Sequence, residues 1–76
     1  MEDKPVLDLT GLKCPLPALR VRKKLIQMQA KEELRVICTD PMAVIDIPNT
    51  AREQGAVLLK QYQEDGRLWF HLQKID

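Results

Sequence analysis

Apolar and polar positions change rhythm several times along the chain, and each change marks an element. Residues 6–9, Val-Leu-Asp-Leu, form a short and mostly apolar run that ends at Thr10-Gly11, a turn pair, and predict a first strand. Pro15 suits the first position of a helix, where its missing N–H costs nothing. Ala18, Val21, Leu25 and Met28 then recur at spacings of 3, 4 and 3, one stripe of an amphipathic helix. Pro17 falls within the first turn and is tolerated there. Residues 33–39 alternate, with Leu34, Val36 and Cys38 on one face and Arg35, Ile37 and Thr39 on the other, which predicts a second strand. Asp40-Pro41 repeats the pairing of a cap-type residue with proline. Pro48 argues against one uninterrupted helix from Met42 to Gln54. The pattern therefore predicts a turn over residues 42–46 and a helix from about Pro48, closed by Gly55 as its C′ residue.

Residues 57–64 and 67–75 flank Asp65-Gly66, a strong signal for a two-residue hairpin. That register pairs Glu64 with Arg67, Tyr62 with Trp69 and Lys60 with His71 on one face. On the other it pairs Gln61 with Phe70 and Leu59 with Leu72, and these, with Leu68 and Val57, form the face expected to meet the helices. The order is βαβαββ, an α+β (α/β) two-layer sandwich with two helices on one face of a four-stranded mixed sheet.

The chain has 76 residues, 45% hydrophobic and 30% charged, the balance of a globular domain rather than a disordered segment. With no repeat or linker, residues 1–76 read as a single domain. A domain of this size buries only about 60% of its unfolded surface, so it has a thin core and no enclosed active site. Three aromatics, Tyr62, Trp69 and Phe70, leave that core mainly aliphatic. The net charge is +1, which gives no argument for nucleic acid. No apolar run approaches the roughly 18 residues that span a bilayer. The start, Met-Glu-Asp-Lys-Pro, lacks the basic and apolar regions of a signal peptide, so a cytoplasmic location is expected. Two cysteines and one histidine are too few for a disulfide scaffold or a four-ligand zinc site. Neither a metal nor a cofactor is expected.

Chemistry concentrates at Cys14, at or next to the N-cap of the first helix. There a sulfur faces unpaired N–H groups and the positive end of the helix dipole, and Lys13 adds a cation; all of these favour thiolate. Pro15 and Pro17 stiffen the turn and Gly11 permits it. Such a thiolate is a nucleophile that needs no base. The competing reading is a small buried hydrophobe that caps the helix. Ser, Asp or Asn serve better as caps, which tips the balance toward a reactive thiol.

The segment Leu7-Asp8, Gly11-Leu12-Lys13-Cys14-Pro15-Leu16-Pro17 closely resembles the signature of the TusA/SirA/YedF sulfur-carrier family. The likeness continues through Arg22-Lys23, Thr39-Asp40-Pro41 and Asp46-Ile47-Pro48, and covers essentially the whole chain. The resemblance implies that Cys14 accepts sulfane sulfur as a persulfide from a cysteine desulfurase or another donor and passes it to an acceptor protein. Relays toward 2-thiolation of a tRNA wobble uridine, sulfur oxidation or molybdenum-cofactor maturation all occur in the family. The implied fold is the sandwich shared with the C-terminal domain of translation initiation factor three. Two departures stand out. Leu16 is apolar where some carriers are acidic, and Asn49-Thr50-Ala51 lacks the further cysteine that several members have after Asp-Ile-Pro. Single-site relay is the consequence.

Around Cys14, the cations Lys13, Arg20, Arg22, Lys23 and Lys24 form a basic rim suited to an acidic protein partner, with Leu16 beside them. No aromatic lies among them to stack a base, so direct nucleic-acid binding is not expected. Asp40 and Asp46 read either as functional acids or, with the greater weight, as caps satisfying N–H groups at a helix start. Cys38 reads as core, Tyr62 and Trp69 as a cross-strand pair, and His71 as a strand residue remote from Cys14. No long exposed apolar stripe calls for a dimer, so the free protein is expected to be a monomer. Two other functions compete: a regulatory or interaction module in which Cys14 is a redox sensor or structural, and an RNA-binding module suggested by the fold.

Overall fold

The computed structural model describes residues 6–75. Residues 1–5, read above as lacking leader character, lie outside them. The elements are β1 (Val6–Leu9), α1 (Leu16–Gln27), β2 (Glu33–Cys38), α2 (Ala43–Glu53), β3 (Ala56–Glu64) and β4 (Arg67–Lys74). The sheet runs β1-β2-β4-β3, with β1 and β2 parallel and the other two pairs antiparallel. This is the expected βαβαββ order and mixed sheet.

The predicted stripe of α1 faces the sheet: Val21 and Leu25 are fully buried, Met28 nearly so just past the helix end, and Ala18 half-buried. Leu34, Val36 and Cys38 of β2 meet them from the sheet, as their alternation requires, together with Leu9, Phe70 and Leu72. Phe70 is the one aromatic in this core. Tyr62 and Trp69 lie on the opposite face and stack at 5.9 Å between ring centroids, the cross-strand pair expected of that register. At the hairpin tip Asp65 and Gly66 both take positive φ, 55° and 73°, as a type I′ turn requires.

Three expectations are corrected. Pro15 is not the first helical residue. The Leu16 N–H donates to the Lys13 carbonyl at 2.9 Å, and this turn takes up Cys14 and Pro15, so Pro15 is the N-cap and the helix starts at Leu16. The Cys14–Pro15 peptide is cis. Second, α2 does not wait for Pro48: it runs unbroken from Ala43, with Pro48 as its sixth residue. The proline removes one hydrogen bond, to the carbonyl of the exposed Val44, at a local cost of about 3 kcal/mol. Burial of Ala43, Ile47, Thr50 and Ala51 along one face outweighs it, since tertiary packing supplies most helix stability in proteins. Gly55 follows the helix as its C′ residue, as expected.

Third, a β-bulge between Leu58 and Lys60 shifts the upper register of β3. Leu58, not Leu59, faces Leu72, and Val57 faces Gln73 on the other side of the sheet. Below the bulge the predicted pairs hold, from Lys60–His71 to Glu64–Arg67. β3 is an edge strand whose buried contribution is Ala56; Val57, Leu58 and Leu59 all stay exposed.

Cys38 is fully buried, and burial first, then the nearby Asp40 charge, push its thiol up to about 11. The folded state thus holds this proton more tightly than an unfolded chain, where the thiol titrates near 9. Its contribution to stability is complete below pH 9 and is lost as pH rises through 11. Urea unfolding across this range should show a loss of stability in the wild type that Cys38→Ala, less stable at neutral pH, partly escapes. The gap between the two proteins should narrow from pH 9 to 11.

Candidate functional site

Parallel pairing places Leu9 beside Cys38, so β1 and β2 release their chains at the same sheet edge. The two loops that follow therefore run side by side, and each leads into a helix. The first begins with an Asx turn, in which Asp8 Oδ1 accepts from the Thr10 N–H and hydroxyl at 3.1 and 2.8 Å. These bonds hold the Asp8 carboxyl below its ordinary range. Gly11 then takes φ 85°, open to glycine and costly for other residues, and turns the chain toward the second loop.

Two contacts join the loops and a third ties the first loop to α2. The Gly11 N–H donates to Thr39 Oγ1 at 2.9 Å, and the Cys14 N–H donates to Asp40 Oδ2. The Cys14 thiol donates to Asp46 Oδ2 at 3.1 Å. Asp40 also accepts from the Met42 N–H through Oδ1 at 3.1 Å, so one carboxylate caps the approach to α2 and pins the backbone of Cys14. An open cleft of about 300 Å³ lies between the loops, lined by Gly11, Leu12, Lys13, Thr39, Asp40 and Pro41. Cys14 itself is exposed.

The electrostatics differ from the sequence expectation. Cys14 does sit next to the N-cap, yet the start of α1 has few donors to offer it. Pro15 and Pro17 have none, the Leu16 N–H is held by Lys13, and the Leu19 N–H by the Pro15 carbonyl at 3.1 Å. The sulfur instead meets carboxylates. The hydrogen bond to Asp46, desolvation, and the charges of Asp46 and Asp40 raise the Cys14 thiol above its ordinary 9.0. The resting group is a thiol, not a thiolate.

Asp40 is not the N-cap of α2, and Pro41 is not its first residue: the N-cap is Met42, and the Asp40 carboxylate accepts its N–H in the turn that leads into the helix while also accepting from Cys14. Asp46 is no cap: it lies in the first turn of α2, half-buried, with its carboxylate on the sulfur. That contact escaped the sequence reading because the helix was expected to begin after Asp46. Thr39 was also missed as an anchor, although its place directly after a strand and before Asp40 was a signal. Arg20, Arg22 and Lys23 are exposed along α1 and Lys24 is half-buried. Lys13 lines the cleft, and Leu16 is 42% exposed. Leu19, Met42 and Ile45 add further exposed apolar surface at the two helix starts. Cys38 lies in the core. Among the described residues no group of three or more His, Cys, Asp and Glu side chains is arranged to hold a metal, and no helix is long and apolar enough to cross a membrane.

The family model of Sulfurtransferase TusA matches residues 6–74. A protein of Neisseria meningitidis serogroup A is 50% identical over 60 residues, covering 79% of this chain and 81% of its own. The sulfur carrier protein TusA of Allochromatium vinosum is 41% identical over 68 residues, 90% of each chain. That of Pseudomonas putida is 36% identical over 69 residues, 91% of this chain and 86% of its own. Among solved structures, a SirA-like protein from Desulfitobacterium hafniense superposes with a TM-score of 0.82 over 95% of this chain and 99% of that one. At 19% identity it bears on the fold alone.

Replacing Asp40 by Ala removes the acceptor of two backbone N–H groups. The expected cost is about 1–3 kcal/mol, read from urea or thermal unfolding. Amide exchange at Cys14 and Met42 should accelerate beyond what that global loss explains, and unchanged protection at both would contradict the bridging role.

Proposed function

The chain belongs to the sulfurtransferase TusA family, and on that premise we propose that it is a carrier whose Cys14 receives sulfane sulfur as a persulfide and hands it on. The observation that supports this most is the contrast between two thiols. Cys14 is exposed on a ledge fixed by Asp40, whereas Cys38 is sealed in the core. A relay needs one sulfur that two different partners can reach in turn, and a surface thiol without an enclosing pocket meets that need.

Loading is a thiol–persulfide exchange. The Cys14 sulfur attacks the outer sulfur of the donor persulfide, and the new S–S bond forms as the donor's S–S bond breaks. The donor sulfur leaves with the bonding pair and takes up the proton lost by Cys14. No oxidant is consumed, because the sulfane sulfur moves at constant oxidation state. Delivery is the same exchange run toward an acceptor.

A cysteine desulfurase is the donor we favour, a downstream acceptor protein the recipient, and tRNA 2-thiouridine formation one route such a relay serves. The carrier acts as a free monomer in the cytoplasm. Gly11, Pro15 and Pro17 shape the ledge. The apolar Leu16, Leu19, Met42 and Ile45 supply the centre of a docking surface, and Lys13, Arg20, Arg22 and Lys23 its charged rim. A redox-sensor reading is disfavoured, since sensor thiols have depressed pKa values and that of Cys14 is raised.

Incubation with a cysteine desulfurase and cysteine should add about 32 Da, one sulfur, to the intact mass in a form that thiol reductants remove. Cys14→Ser should abolish the gain, and a wild type that takes up no sulfur from several donors would sink the proposal. The paired change Arg20→Glu and Lys23→Glu should slow loading about tenfold through association rate and flatten its salt dependence. It should leave alkylation of Cys14 by a small neutral reagent near the wild-type rate.

A further inference from the structure

We propose that Asp46 governs the protonation state of Cys14, keeping the resting carrier as an unreactive thiol until a cationic side chain of a partner neutralises the carboxylate. The inference deepens the carrier reading, on which its biological meaning rests, but it concerns the thiol alone and is testable without a sulfur donor.

The geometry carries it. Cys14 Sγ lies 3.1 Å from Asp46 Oδ2 as a hydrogen-bond donor, with the Asp40 carboxylate on the backbone N–H of the same residue. Asp46 from α2 and Asp40 from the loop before it are the charges that act on the sulfur. No base is among the groups that act on the sulfur, and at the start of α1 Pro15 and Pro17 have no N–H while those of Leu16 and Leu19 are held by the Lys13 and Pro15 carbonyls. Every one of these effects favours the neutral thiol.

A carboxylate beside a thiol can act in two opposite ways, as a base that takes the proton or as a charge that keeps it on sulfur. Reference basicities decide between them. A carboxyl group ordinarily loses its proton some five pKa units below a thiol, so transfer from thiol to carboxylate populates only about one molecule in 10⁵. Formation of a thiolate beside a fixed negative charge is disfavoured as well. Against this, a higher thiol pKa makes each thiolate more nucleophilic, with a Brønsted slope of about 0.4–0.5. The population effect wins. Each unit by which the pKa falls gives about tenfold more thiolate at neutral pH and costs each thiolate about threefold in reactivity, a net gain of about threefold.

The consequence for a carrier is selectivity. Small electrophiles and neutral surfaces meet a thiol, whereas a partner that brings Arg, Lys or protonated His to Asp46 cancels the charge and releases the nucleophile. The proton that Cys14 releases is matched by the one that the departing donor sulfur takes up, and the exchange proceeds as written above.

The test is the pH profile of Cys14 alkylation by iodoacetamide in the Cys38→Ala background, where carbon–sulfur bond formation expels iodide and one thiolate is consumed. Asp46→Asn should react faster at pH 7, by about threefold for each unit by which the inflection of the profile moves to lower pH. Asp46→Glu, which keeps the charge, should return the inflection toward the wild type. Thiosulfonate reagents of opposite charge add a second readout: the cationic aminoethyl reagent should outpace the anionic sulfonatoethyl one, and Asp46→Asn should shrink that ratio. An Asp46→Asn profile whose inflection stays in place or rises, or whose rate at pH 7 falls, overturns the gate and makes Asp46 a base. Sulfur uptake by the wild type is scored separately. A gate without uptake leaves Asp46 in its role and removes the carrier reading, and uptake without the gate does the reverse.

Discussion

The Asp40 carboxylate is the tie on which the site depends. One oxygen accepts the N–H of Met42 and so sets the approach to α2; the other accepts the N–H of Cys14 and so fixes the ledge before α1. The parallel pairing of β1 and β2 makes a single carboxylate sufficient, since it releases both chains at one edge of the sheet. Thr39 repeats the device one residue earlier, accepting from Gly11. The loop that carries the thiol is thereby tied to its neighbour, although it lies at the surface.

Surface placement follows from size. A thin core, filled by Phe70 and aliphatic side chains between the helices and the sheet, has no space to enclose a substrate. The protein therefore leaves enclosure to its partners and controls its thiol by charge. The carboxylates of Asp46 and Asp40 disfavour the thiolate of Cys14, and Arg20, Arg22 and Lys23 of α1 are exposed. Cys38 is restrained differently, by burial, which raises its thiol and closes it to any partner.

Much of this was legible in the residues. The Leu34, Val36 and Cys38 alternation, the Ala18–Met28 stripe and Asp65-Gly66 gave three strands, one helix and a hairpin register correct from Lys60 to Arg67. The misreadings have a common origin in tertiary context. Pro48 stays inside α2 because a buried face compensates for one lost hydrogen bond, and no local rule contains that face. The bulge at Leu58 lies on an edge strand with little burial to enforce its period. The charge state of Cys14 was misjudged for the same reason. Proximity to a helix start is visible in sequence, but the Leu16 N–H was already taken by Lys13, and Asp46 arrives from 32 residues away. Asp46 became legible as a thiol partner only once α2 was known to begin at Ala43.

The central claim is that sulfur travels on Cys14 and on no other atom of the chain. Site-resolved mapping tests it most directly. Protein charged by a persulfide donor is trapped with an alkylating reagent under native conditions, cleaved, and the two cysteine-containing peptides are weighed. The account predicts the extra sulfur on the Cys14 peptide, with the Cys38 peptide unmodified. Sulfur on Cys38, or divided between the two, would contradict it.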